Sequence, residues 1–113
     1  MQFNVATEIS QRPELGSAVE DASRILGEIL ERSVLNRATA DWTLSKDPDG
    51  RDLVRLLVSD WTGTVGYVFA PKELENRALM RFRLHRLWGD LLQVSSHVLF
   101  DGVLGETQAQ GGH

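Results

Sequence analysis

Cysteine is absent from this chain of 113 residues. That excludes disulfides, thiolate nucleophiles, iron–sulfur clusters and Cys-based zinc sites together. Long apolar runs are also missing: none approaches the roughly 18 residues that a membrane-spanning helix needs. The opening MQFNVATEISQR has neither the basic start nor the apolar core of a signal peptide, so a cytoplasmic location without membrane contact is expected. A basic surplus is lacking too, with 12 Lys and Arg against 16 Asp and Glu for a net charge of −4, which argues against general nucleic-acid affinity.

What is present describes one ordinary globular domain. Apolar residues make up 42% and charged residues 25%, and a chain of this length buries about two thirds of its unfolded surface without a metal or a staple. Residues 1–60 hold 11 acids and 7 bases, whereas 61–113 hold 5 of each, so the acidity belongs to the first half.

Phe3, Val5, Thr7 and Ile9 alternate with Gln2, Asn4, Ala6 and Glu8, the period-2 pattern of a short half-buried strand. Pro13 suits a first helical turn. Leu15, Ala18, Val19, Ala22, Ile25, Leu26, Ile29 and Leu30 then recur at three- and four-residue steps, predicting a helix over 13–36. Its other side carries Glu20, Asp21, Arg24, Glu28, Glu31 and Arg32, a solvated face with favourable i to i+4 pairs. Ala40, Trp42 and Leu44 return to alternation, and KDPDGRD reads as a tight hairpin with Pro48 and Gly50 at its turn. A partner strand over 52–59 and a third through Val65, Tyr67 and Phe69 complete a meander that Pro71 closes. From Lys72 a long helix is predicted, with a heptad seam of Met80, Leu84, Leu87, Leu91, Val94 and Val98. The tail DGVLGETQAQGGH has four glycines and is expected to fray.

The expected architecture is therefore α+β, order β-α-β-β-β-α, with an antiparallel sheet packed by two long helices in a single domain over 1–100 and a flexible tail over 101–113. With both helices on one sheet face, Leu53, Leu57, Phe82 or Trp61 would be left exposed, which predicts a homodimer or an obligate protein partner. The expected interface combines Trp61, Leu53, Leu57 and Phe82 with the seam residues Leu84, Leu87 and Leu91.

No catalytic constellation assembles. His85 and His97 lie about 18 Å apart along a helix, too far to share a proton or a metal. His97, Asp101, Ser95 and Ser96 resemble a triad only as a list, since adjacent helical side chains diverge. Asp47, Asp49 and Asp52 lack the further oxygen ligands of a calcium loop, and Gly63 and Gly66 precede no phosphate-binding helix. No enzyme activity, cofactor or metal is expected. The one polar cluster of weight is RALMRFRLHRLW, which brings Arg77, Arg81, Arg83 and Arg86 into one helical stretch without an acid. It either follows a phosphate backbone, with strong salt dependence, or pairs with Glu20, Asp21, Glu28 and Glu31 or with a dimer mate.

The element order, together with MQFNV at the start and LSKDPDG before the central hairpin, resembles the ribosome hibernation-promoting factors over residues 1 to about 95. That likeness implies binding to the small ribosomal subunit through basic residues, for which Arg77, Arg81, Arg83 and Arg86 are the comparable cluster. This chain departs from the family in carrying Glu20, Asp21, Glu28 and Glu31 where lysines are usual, and PKELENRAL where an acidic-Met-Tyr segment opens the last helix. Two functions follow as expectations: a non-catalytic regulatory or adaptor domain acting through self-association, or a ribosome- or RNA-associated factor using a basic last helix.

Overall fold

The computed structural model describes residues 1–31 and 37–111, with side chains through Val94 and at Ser96. Its elements are β1 (Gln2–Val5), α1 (Thr7–Ser10), α2 (Pro13–Glu31), β2 (Thr39–Lys46), β3 (Asp52–Asp60), β4 (Gly63–Phe69), α3 (Pro71–Leu74) and α4 (Arg77–Gly111). The class is α+β as expected, but the sheet is mixed. Its order is β1-β2-β3-β4, with β1 parallel to β2 and the other two pairings antiparallel. The cause is α2: a helix of 19 residues carries the chain back across the sheet, so the next strand enters in the same direction as the first.

Strand β1 stops at Val5, earlier than alternation implied. The Ala6 N–H donates to the Trp42 carbonyl at 2.9 Å, and the chain then turns through α1. That turn sends Ile9 into the core, where it is fully buried. The first long helix is described to Glu31; the expectation that it reaches residue 36 lies outside the described residues.

Two aspartates build the hairpins. The Asp47 carboxylate accepts the N–H groups of Asp49 and Arg51, both at 2.9 Å, and Gly50 takes the positive φ (82°) of this turn. In the second hairpin Asp60 Oδ1 accepts from the Thr62 N–H at 2.8 Å and the Gly63 N–H at 3.2 Å, as well as from the Thr62 hydroxyl.

The expected continuous last helix is broken once. Pro71 opens α3, and Glu73 accepts the Ala70 N–H at 2.9 Å. Asn76 then starts α4 as its cap, its Oδ1 accepting the Leu79 N–H at 3.1 Å. Helical backbone continues to Gly111, while the side chains of the tail expected over 101–113 lie outside the described residues.

One core joins these parts. From α2 come Leu15, Ala18, Val19, Ala22, Leu26 and Leu30; from α4 come Met80, Leu84, Leu87 and Leu91; from the sheet come Ala40, Trp42, Val54, Leu56, Val58 and Phe69. All the sheet residues belong to one face by alternation, so both long helices cover the same side. Trp42 and Phe69 sit at its centre with ring centroids 6.1 Å apart. Burying each large side chain contributes about 1.5–3 kcal/mol, which explains why periodicity dictates these elements so firmly.

Candidate interaction surface

The opposite sheet face has no helix against it among the described residues. It presents Asp41 and Thr43 from β2, Leu53, Arg55 and Leu57 from β3, and Thr64, Gly66 and Val68 from β4, aligned by the strand register. Leu53 and Leu57 are half-buried, and Val68 is 44% exposed. Leu57 gains its shelter by lying across Gly66, where a Cβ would come within 2.8 Å of Leu57 Cδ2. Polar pairs surround these side chains: Asn4 Nδ2 donates to Asp41 at 2.8 Å, and the Ser59 and Thr64 hydroxyls meet at 2.9 Å. The face is a mixed surface, not a dry patch.

Trp61 stands at the tip of the second hairpin and is 80% exposed. Asp60 secures the turn through its neighbours, so the indole is held out on an ordered base. Phe82, 65% exposed, stands on α4 on the side away from the core. The expected interface residues Leu84, Leu87 and Leu91 are placed differently: each is fully buried inside its own chain. The seam predicted to meet a partner is already covered by its own sheet and by α2, because a heptad pattern marks an apolar stripe without naming what packs on it.

The four arginines divide. Arg83 turns toward β4, where its Nη1 donates to the Val68 carbonyl at 3.1 Å and to Glu73 Oε2 at 3.0 Å. Its guanidinium also lies 4.4 Å from the Phe69 ring centroid and 5.4 Å from that of Tyr67. Arg77, Arg81 and Arg86 are exposed, and none makes an ion pair within 4 Å among the described residues. The expected pairing with the first helix is thus not formed: Glu20 and Asp21 face Arg24 of their own helix, at 3.9 and 3.6 Å. Glu73 and Val68, which hold Arg83, lie beyond any local pattern in the sequence.

Between α2 and α4 runs an open groove of about 400 Å³, with Ile25, Ile29 and Trp88 in its lining, Glu28 and Glu31 from α2, and Arg81 and His85 from α4. His85 meets Trp88 edge-on at 6.5 Å. The lining combines two carboxylates, a guanidinium and an imidazole with apolar side chains, and holds no Ser, Thr or Lys. The side chains of His97, Ser95 and Asp101 lie outside the described residues.

Two groups have displaced titrations: Tyr67, which the sequence offers only as a strand residue, and Asp52, which it offers only as a turn aspartate. Tyr67 donates to Asp90 Oδ2 at 2.6 Å; burial, then this hydrogen bond and the Asp90 charge, push its hydroxyl up to about 12. Asp52 is hydrogen-bonded to Arg12 at 2.5 Å, and that bond, reinforced by the charges of Arg12 and Lys46 against the opposing effect of burial, holds its carboxyl below the ordinary value of 3.8. Asp47 and Asp52 are therefore occupied in a turn and an ion pair. Among the described residues no group of three His, Cys, Asp or Glu is placed to hold a metal ion, and no helix is long and apolar enough to cross a membrane. Comparison with protein-family models, curated proteins and solved structures finds no match, so the role of this surface has to be argued from its own residues.

Proposed function

We propose that this chain is a non-catalytic adaptor or regulatory domain that acts by association, with itself or with one protein partner, in the cytoplasm. The observation that carries the reading is the pair Trp61 and Phe82, 80% and 65% exposed. Each holds a large ring in water on a well-anchored element, and neither is needed by the core. Exposed aromatics on rigid supports are the usual energetic centres of protein interfaces. Leu53, Leu57 and Val68 add a separate apolar area on the open sheet face, on the side of the sheet opposite to Phe82.

Sedimentation equilibrium at micromolar concentration tests this, with Trp61→Ala and Phe82→Ala as variants. Self-association that weakens in at least one variant supports the reading; a compact monomer that takes no protein partner in fixed ratio overturns it.

A ribosome- or RNA-associated role is the second reading, favoured by the exposed Arg77, Arg81 and Arg86, which form no ion pair within 4 Å among the described residues. Against it stand the acids of α2, which share the helical layer and repel phosphates. If three arginines contact a single strand, the affinity should fall with a log–log salt slope of about −2. RNA binding with that slope, lost in Arg81→Glu with Arg86→Glu, would replace the first reading. The element order that underlies the resemblance to hibernation-promoting factors is a fold-level feature and transfers no activity by itself.

A further inference from the structure

We propose that the occupant of the outer helical layer is a second copy of this chain, docked face to face so that α2 of one protomer lies over α4 of the other. The proposal rests on the association reading above and names its surface and partner.

The argument starts from how the layer divides charge. Helices α2 and α4 run side by side in the same direction: Ala18 and Ala22 line one opening with Leu74 and Arg77, and Ile25 and Ile29 line the next with Arg81 and Trp88. With the apolar stripes of both turned to the sheet, the helical period of 100° per residue sends Glu20, Glu28 and Glu31 outward from α2 and Phe82 and Arg86 outward from α4, with Arg81 at the rim of the groove between them. All six are exposed or half-exposed. The single base on the outer side of α2, Arg24, already faces Glu20 and Asp21. One half of the layer is therefore acidic and the other basic, and across the groove the opposite charges do not close to within 4 Å among the described residues.

Two copies meeting through this layer have two simple two-fold arrangements. An axis perpendicular to the helices lays α2 on α2 and α4 on α4, opposing acid to acid and arginine to arginine. An axis parallel to the helices lays α2 on the partner's α4, opposing acid to arginine, and symmetry makes each such contact twice. Charge complementarity selects the second and rejects the first, since like charges in register oppose docking. Phe82, standing among the arginines on the outward side, supplies the apolar anchor that the polar rows lack.

Charge reversal in halves provides the test. One variant carries Arg81→Glu with Arg86→Glu, so both helices become acidic outside; the other carries Glu28→Arg with Glu31→Arg, so both become basic. None of the four positions is buried, and circular dichroism checks that each variant keeps its fold. Sedimentation equilibrium should show the wild type dimerising, each variant alone weakened by about tenfold or more, and an equimolar mixture of the two recovering a heterodimer. The wild-type dimer should also weaken as salt rises from about 50 to about 500 mM. If the wild type dimerises and both variants dimerise equally well alone, the helical layer is not the contact, while the association reading stands. If the wild type remains a monomer up to about 100 µM, this proposal falls together with the self-association on which it rests. Arginines that bind RNA in a monomeric wild type overturn it in the same way.

Discussion

Helices α2 and α4 lie side by side on one face of the sheet, and their inward stripes are interchangeable in chemistry: Leu15, Val19, Leu26 and Leu30 on one, Met80, Leu84, Leu87 and Leu91 on the other, none more than 8% exposed. Outward they diverge, acids on α2 and arginines with Phe82 on α4. Packing constrains only the inward side, because a core position tolerates few residues other than apolar ones of the right volume. The outward side is free of that demand. The contrast between the helices is therefore where information about partners resides, and likeness inside with difference outside is a comparison that experiment can break.

The largest effect should fall on the likeness. Leu26→Ala in α2 and Leu84→Ala in α4 both empty a fully buried site, and each should cost about 2–5 kcal/mol by urea denaturation. A cost below about 1 kcal/mol in one helix alone would mean that its stripe is not closed by the sheet, and the comparison would fail at its base.

Next comes the one arginine of α4 that behaves as part of the fold. Arg83→Ala removes a contact to Glu73, a hydrogen bond to an edge-strand carbonyl and a cation stacked on Phe69. It should cost about 1–2 kcal/mol. Arg81→Ala, made on the exposed side, should lie within about 0.5 kcal/mol of the wild type. Equal costs for the two would erase the division drawn between inward and outward arginines.

Much of this was legible in the sequence and some was not, for identifiable reasons. The α+β class, the meander and both amphipathic helices are local periodicities, so residues such as Val54, Leu56 and Val58 announce their face unaided. The parallel pairing of β1 was hidden because alternation is the same for either strand direction. The turn at Thr7–Ser10 was hidden because Thr7 and Ile9 continue a period that the backbone abandons. The break before α4 turns on Asn76, a single capping side chain within a helical pattern. Leu84, Leu87 and Leu91 read as an interface in the sequence because a stripe does not name its cover. At the candidate surface, Trp61 and Phe82 were readable as apolar residues out of pattern, whereas the fate of Arg83 depended on Glu73 and Val68, which only the folded chain brings beside it.

A smaller effect, silent at neutral pH, sharpens the boundary between α4 and β4. Tyr67 is the sole tyrosine of the chain, so tyrosinate absorbance reports it alone. Its pKa is raised from the ordinary 10.0 to about 12, first by burial and then by the hydrogen bond to Asp90. A raised value means that the folded state favours the neutral hydroxyl. The stabilisation is fully present below pH 10 and is lost as pH climbs toward 12. Folded protein should titrate well above denatured protein in the same alkaline series. Asp90→Asn should bring the midpoint down toward that of the denatured chain, and an unchanged midpoint would show that Asp90 does not hold the hydroxyl.

The smallest expected effect asks whether the two helices are also alike where each carries a glycine. A Cβ on Gly27 of α2 would touch the Phe3 ring at 3.6 Å, an ordinary contact, and one on Gly89 of α4 would meet nothing within 4 Å. Neither position has a steric reason within the chain to lack a side chain, so Gly27→Ala and Gly89→Ala should each stabilise by about 0.8–1 kcal/mol through helix propensity. That corresponds to a rise in melting temperature of a few degrees, measured at a concentration low enough to keep the protein monomeric. The two substitutions separate when association is measured instead. Gly27 lies on the flank of α2 beside Phe3, whereas Gly89 stands two turns beyond Phe82 on the outward side of α4. A gain in monomer stability combined with weaker self-association for Gly89→Ala, and for Gly27→Ala a gain in stability alone, would show that another chain approaches the backbone of α4 closely. Equal gains with unchanged association in both would limit the outward difference between the helices to their charges and Phe82.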